Sequence, residues 1–101
     1  MGLFVLEGSP VTLTATQHED KEAIRDIKWL FNKTLTIVSY LPRHKEVEVD
    51  PLFKGRVEFN NETFSLELKN LQKNDSGLYR GEIYADETEV KAEYMLSVLG
   101  E

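Results

Sequence analysis

Residues 75–81 read DSGLYRG. Asp75-Ser76-Gly77 is turn chemistry, with short polar side chains beside a glycine that tolerates unusual backbone angles. The turn runs straight into YRGEIYA (79–85), whose alternation puts Tyr79, Gly81 and Ile83 on one face of a strand and Arg80, Glu82 and Tyr84 on the other. The first set is the more apolar and is expected to face a core. A glycine in the middle of that inward row leaves space for a large side chain arriving from elsewhere. Trp29, the one tryptophan, is the candidate.

Outward from this stretch, short alternating runs recur between turn signals, the pattern of an all-β sandwich. They are LFVLEG (3–8), PVTLTAT (10–16), DIKWLFN (26–32), TLTIVSYL (34–41), VEVD (47–50), GRVEF (55–59), FSLELKN (64–70), YRGEIYA (79–85) and EVKAEYMLSVL (89–99), the last two joined by an acidic turn at 86–88. Helical signal is weak: EDKEAIRDI (19–27) could make a helical turn, and NLQKNDSG (70–77) is expected to make a short one between two strands.

The 101 residues hold room for one domain, 1–101, and one core. With 41% hydrophobic and 30% charged residues the chain is compositionally globular rather than disordered. A net charge of −6 without clustered Lys or Arg argues against nucleic acid. No apolar run approaches the ~20 residues that span a bilayer. MGLFVLEGSP lacks a secretory leader's basic start and long apolar stretch, so Met1-Gly2 reads as an expression scar. The absence of cysteine would ordinarily point to a reducing compartment.

DSGLYRG resembles the Asp-x-Gly-x-Tyr-x-Cys signature of immunoglobulin domains with Gly81 at the cysteine position. The other landmarks of that fold follow in order. Val11 to Ala15 resembles the strand that ends in the first cysteine, and Trp29 comes 14 residues after Ala15, where the core tryptophan belongs. Arg56 stands where a charge partner for Asp75 is expected, and Tyr79 occupies the tyrosine-corner position, its hydroxyl reaching back to loop backbone. Trp29 and Tyr79 lie about 50 residues apart, enough for two extra strands, 34–41 and 47–50. That implies the variable-type sandwich of about nine strands in two antiparallel sheets, without the inter-sheet disulfide. A bond between positions 15 and 81 would contribute ~2–4 kcal/mol, so the double variant Ala15→Cys/Gly81→Cys is expected to close one and melt higher.

IKWLFN (27–32), SLELKNL (65–71), DSGLYRGEI (75–83) and LFKGRV (52–57) resemble segments of the SLAM family of leukocyte receptors, whose N-terminal variable-type domains include cysteine-free ones. The resemblance covers nearly the whole chain and touches both homophilic and lipid-anchored heterophilic members. It implies an extracellular domain of a membrane-anchored protein, with leader and anchor outside this sequence. The function it implies is cell–cell recognition through one sheet face, the partner being an identical chain, with weak dimerisation, or a related receptor on an apposed cell. A viral decoy of such a receptor would read the same way. Alternation assigns to that face Lys28, Leu30, Arg80, Glu82, Tyr84, Lys91, Glu93 and Met95, and, unless a bulge intervenes, Val38 and Tyr40. Aromatic residues, Met and Arg are enriched in protein interfaces.

Asn32, Asn61 and Asn74 each head an Asn-x-Ser/Thr triplet at a turn, as N-glycan acceptors should. Asn74 is the weakest, since Asp75 is committed to a charge pair. Together they favour secretion over the compartment suggested by missing cysteine. KEVEVD (45–50) alternates Glu46, Glu48 and Asp50 without calcium-loop spacing, and His18 and His44 have no cysteine companions, so neither metal nor cofactor is expected. No catalytic motif is present, and an enzyme is not expected. A structural immunoglobulin domain of the intracellular muscle type, which also lacks disulfides, is the alternative of a different class. The triplets and the long Trp29–Tyr79 interval count against it. The hairpin at 84–90 is too short and plain for an antigen-binding loop.

Overall fold

The computed structural model describes residues 2–15, 24–86 and 89–100. It contains β1 (Gly2–Leu6), β2 (Val11–Leu13), β3 (Ile24–Phe31), β4 (Leu35–Leu41), β5 (Glu46–Val49), β6 (Val57–Phe59), β7 (Leu66–Leu68), β8 (Gly77–Ala85) and β9 (Glu89–Leu99), with a 3-10 turn at Lys73–Asp75. They form a six-stranded sheet in the order β1-β9-β8-β3-β4-β5 and a three-stranded sheet in the order β2-β7-β6. All these pairings are antiparallel except that of β1, which runs parallel to β9. The nine-strand sandwich read from the alternation is thus present. The smaller sheet's strands stop three residues long, inside the runs that suggested them. Ile24 to Ile27 open β3 instead of forming a helical turn. Residues 19–23 and His18, like residues 87 and 88 of the acidic turn, lie outside the described residues.

Asn32 and Lys33 take left-handed angles, φ 52° and 66°, in the tight turn between β3 and β4. Successive positive φ values suit the twist of a hairpin, and Asn accepts them better than most residues. The β3–β4 pairing then slips between Trp29 and Leu30: Trp29 faces Val38 but Leu30 faces Thr36, leaving Ile37 as an extra residue on β4. This bulge overturns the outward assignment of Val38 and Tyr40. Beyond it, Val38 pairs with Trp29 and Tyr40 with Ile27, so both follow the inward row. They are 1% and 5% exposed, and the Tyr40 ring packs 5.3 Å from Phe59 and 6.4 Å from Phe64. An extra residue in a strand shifts every later side chain to the opposite face.

Trp29 sits fully buried between the sheets, with Leu13, Ile37, Leu66 and Leu96 in the same cluster. Its indole N–H donates to the carbonyl of Phe64 at 3.0 Å. Phe64 reaches that position with φ 63°, a left-handed angle that is costly for a bulky residue and is held by the packing around it. Gly81 pairs with Trp29 across the β3–β8 ladder. A Cβ built on Gly81 would stand 2.7, 2.8 and 2.9 Å from three carbons of the indole. The glycine is therefore the seat of the tryptophan ring. Ala15, the other small residue, is buried in the same core. This geometry works against the expected disulfide, because any side chain placed at position 81 would have to occupy space the indole already fills.

The lower end is closed by the expected polar contacts. Arg56, immediately before β6, donates from Nη2 to Asp75 Oδ2 at 2.5 Å, and the same oxygen accepts the Gln72 amide at 2.8 Å. The Tyr79 hydroxyl donates to the Asp75 carbonyl at 2.6 Å. Burial beside the Asp75 carboxylate pushes the Tyr79 phenol well above its ordinary pKa. Asp75 is nearly buried, so the Arg56 contact compensates a charge that would otherwise be costly.

Candidate recognition face

The outer side of the six-stranded sheet carries rows of residues set by strand register. In one row Lys91, Glu82, Lys28, Ser39 and Glu48 lie side by side across β9, β8, β3, β4 and β5. In the next, Glu93, Arg80, Leu30 and Thr36 do the same. A third brings Glu89, Tyr84 and Asp26 together, and a fourth Met95 and Leu78. Charge alternates along the first row, and the second sets its acid beside its base. Opposite charges facing each other across strands stabilise the sheet modestly.

The face is held in shape by its own contacts. Arg80 makes two donations to Glu93 Oε2, at 3.0 Å from Nε and 2.6 Å from Nη2, and its Nη1 lies 3.6 Å from Glu82. The guanidinium holds the Glu93 carboxyl below the usual carboxylate range. Lys91 pairs with Glu89 at 2.8 Å and Lys28 approaches Asp26 at 3.5 Å. The Tyr84 hydroxyl donates to Glu82 Oε1 at 2.6 Å, which pushes the phenol up to about 12. Glu82 belongs to the outward row but is only 8% exposed, lying beneath Arg80 and Tyr84. It therefore supports the surface more than it presents itself, a correction to its expected exposure. Asp26 Oδ1 is buried and has no hydrogen-bond partner among the described residues.

Of the residues expected on the face, Lys28, Leu30, Arg80, Tyr84, Lys91, Glu93 and Met95 stand together on it, with Glu82 under them. Sequence reasoning missed Asp26, Thr36, Ser39 and Leu41. Asp26 was legible, two residues before Lys28. The β4 residues were not, because they depend on the bulge. Glu46 and Glu48 pair with Leu41 and Ser39 and extend the face as an acidic edge, whereas Asp50 bonds the Leu52 amide at 2.9 Å in a turn. The strip at 45–50 is thus two features. At the opposite edge the parallel β1–β9 register lines up Phe4, Leu6, Met95 and Leu99, all substantially exposed.

The profile of the immunoglobulin V-set domain matches residues 2–99, the span that holds the two packed sheets, the tryptophan seated on Gly81 and the tyrosine corner. The chain belongs to the immunoglobulin V-set family. Several solved structures superpose over nearly its full length. The first Ig-like domain of human CD48 antigen aligns with a TM-score of 0.84 and 23% identity, covering 98% of this chain and 81% of that one. CD84, described with reference to SLAM family function, gives 0.78 and 18%, covering 99% and 97%. The CD2-binding domain of CD58, lymphocyte function-associated antigen 3, gives 0.74 and 18%, covering 96% and 52%. At these identities the likeness establishes the V-set architecture. Among the described residues no helix is long and apolar enough to cross a membrane.

Proposed function

We propose that this V-set domain is the extracellular recognition module of a leukocyte surface receptor or ligand of the SLAM group, binding a protein partner on an apposed cell through the outer face of β9-β8-β3-β4-β5. The row Lys91-Glu82-Lys28-Ser39-Glu48 carries the reading. Lys91, Glu82 and Lys28 already have opposite charges beside them on the sheet, and Glu48 stands at its edge next to the neutral Ser39, so a partner gains only modest net Coulomb energy by docking. Specificity then comes from bringing a complementary pattern into alignment, and affinity stays weak. Tyr84, Leu30 and Met95 supply the apolar contact among the charges. Fold likeness to CD48, CD84 and the CD2-binding domain of CD58 supports the class of partner. The segments resembling homophilic SLAM members support a second copy of this chain as one such partner, and those resembling heterophilic ones a related receptor.

Sedimentation velocity over a wide concentration range reads the self-association, and a binding panel of V-set ectodomains reads the rest. Tyr84→Ala and Lys28→Glu are expected to weaken whichever association is found, roughly tenfold each for a contact worth ~1.4 kcal/mol. If both leave every association unchanged, binding does not use this face.

A further inference from the structure

The outer side of the three-stranded sheet has a different character. Register sets Thr12, Glu67 and Glu58 side by side across β2, β7 and β6. The β6–β7 turn rises beside them, and together they wall a shallow groove of about 630 Å³ whose lining includes Asn61, Glu62 and Ser65. That volume lies within the ~300–1,000 Å³ of small-ligand sites, but the walls are polar rather than apolar. Glu58 is paired with Lys69 at 2.7 Å, which leaves Glu62 and Glu67 to give the groove an acidic character. Carboxylates of this kind repel anions and accept hydrogen bonds from hydroxyl groups, so the groove suits a neutral polyhydroxylated occupant.

Asn61 supplies such an occupant with a tether. Asn60 makes the turn, its Oδ1 accepting the amides of Glu62 at 2.8 Å and Thr63 at 3.1 Å, while Asn61 stays exposed on the groove wall as the first residue of Asn61-Glu62-Thr63. Of the other two triplets, that of Asn32 has its own asparagine side chain engaged, Oδ1 accepting the Leu78 amide at 3.1 Å. In the Asn74 and Asn61 triplets the hydroxyl residue is hydrogen-bonded, Ser76 accepting the Val98 amide at 2.9 Å and Thr63 sharing a 2.9 Å bond with the Ser65 hydroxyl.

We propose that Asn61 carries an N-linked oligosaccharide whose neutral core sugars lie in this groove and cover the outer face of β2-β7-β6. The inference rests on the extracellular reading above, since attachment occurs on the secretory route. The side-chain amide nitrogen attacks the anomeric carbon of a lipid-pyrophosphate-linked oligosaccharide. The C–N bond forms, the C–O bond to pyrophosphate breaks, and the amide gives up one proton as the lipid pyrophosphate leaves. Once attached, the first sugars are held at high effective concentration over Glu58, Glu67 and Thr12, so individually weak hydrogen bonds suffice. A covered outer face here leaves the opposite sheet as the one open to a protein partner.

The test is secretion from mammalian cells, glycopeptide mass mapping, and amide NMR of three forms: fully glycosylated, trimmed by endoglycosidase to a single N-acetylhexosamine, and Asn61→Gln. The expected result is occupancy at Asn61, with shifted and slower-exchanging amides at Thr12, Glu58 and Glu67 that revert in the Asn61→Gln protein. Glu67→Ala should keep the occupancy and lose the Thr12 and Glu58 shifts. A secreted protein with Asn61 bare overturns the inference and leaves the recognition reading standing. So does an occupied Asn61 whose glycan perturbs only residues 60–62. A chain that a leader peptide cannot carry out of the cell overturns both.

Discussion

Replacing Gly81 with alanine adds one methyl group at the most crowded point of the core. The new Cβ would lie 2.7–2.9 Å from three indole carbons of Trp29, closer than carbon atoms approach without something moving. The ring has little freedom to yield. It is fully buried, hydrogen-bonded to the Phe64 carbonyl, and packed 6.5 Å from the Tyr94 ring. Overpacking a core of this kind costs ~1–3 kcal/mol. Alanine returns ~0.4–1 kcal/mol by restricting the unfolded chain. The net expectation is a loss of about 1–2 kcal/mol, or a fall in Tm of roughly 5–15 °C for a domain of this size.

Thermal and urea unfolding followed by tryptophan fluorescence measure this directly. A double-mutant cycle makes the cause specific. Trp29→Phe removes the part of the ring system that reaches Gly81, so Gly81→Ala should cost less in that background, with a coupling of at least about 0.5–1 kcal/mol. The same clash works against Ala15→Cys/Gly81→Cys: any gain from a disulfide is offset by displacing the indole, and the double variant should not melt above the parent. Should Gly81→Ala leave the Tm unchanged or raise it, with no coupling to position 29, the indole is not seated on the glycine.

Tyr79→Phe deletes the hydroxyl that satisfies the Asp75 carbonyl and should cost about 1–2 kcal/mol in urea unfolding, with the m-value unchanged. Arg56→Met leaves Asp75 with only the Gln72 amide and should cost ~2–3 kcal/mol, less than a fully buried pair because the arginine is partly exposed. In alkaline titration at 295 nm the Tyr84 phenol should ionise near 12, and Glu82→Gln should bring it down. Because the folded pKa is raised above the unfolded value, the folded state holds its proton longer. This contribution to stability is whole below about pH 10 and declines as the pH rises toward 12, so Tyr84→Phe should flatten that part of the stability curve.

Much of the architecture was legible because strand alternation and the order Trp29, Arg56, Asp75, Tyr79 are local or depend only on spacing. The outward row Arg80-Glu82-Tyr84 could be read from β8 alone, since no irregularity interrupts that strand where it pairs with β9. The β4 assignment failed at one residue. Ile37 is an extra member of the strand, and nothing in TLTIVSYL distinguishes a bulged from a regular run of β-branched and aromatic residues. Glu82 was misjudged for a related reason: alternation gives direction, but how deeply a side chain lies depends on neighbours from other strands.

Taken by itself, then, the sequence determined that this chain is a V-set sandwich without a disulfide, because turn chemistry, apolar period and landmark spacing are all carried by the order of residues along the chain. Tertiary structure alone decided how strands were shifted against one another. That shift turned Tyr40 into the core, lined up Lys91, Glu82, Lys28, Ser39 and Glu48 across five strands, and brought Thr12 beside Glu67 and Glu58 next to Asn61. Such neighbours are far apart in sequence, and only cross-strand hydrogen bonds and packing around Trp29 choose which residues meet.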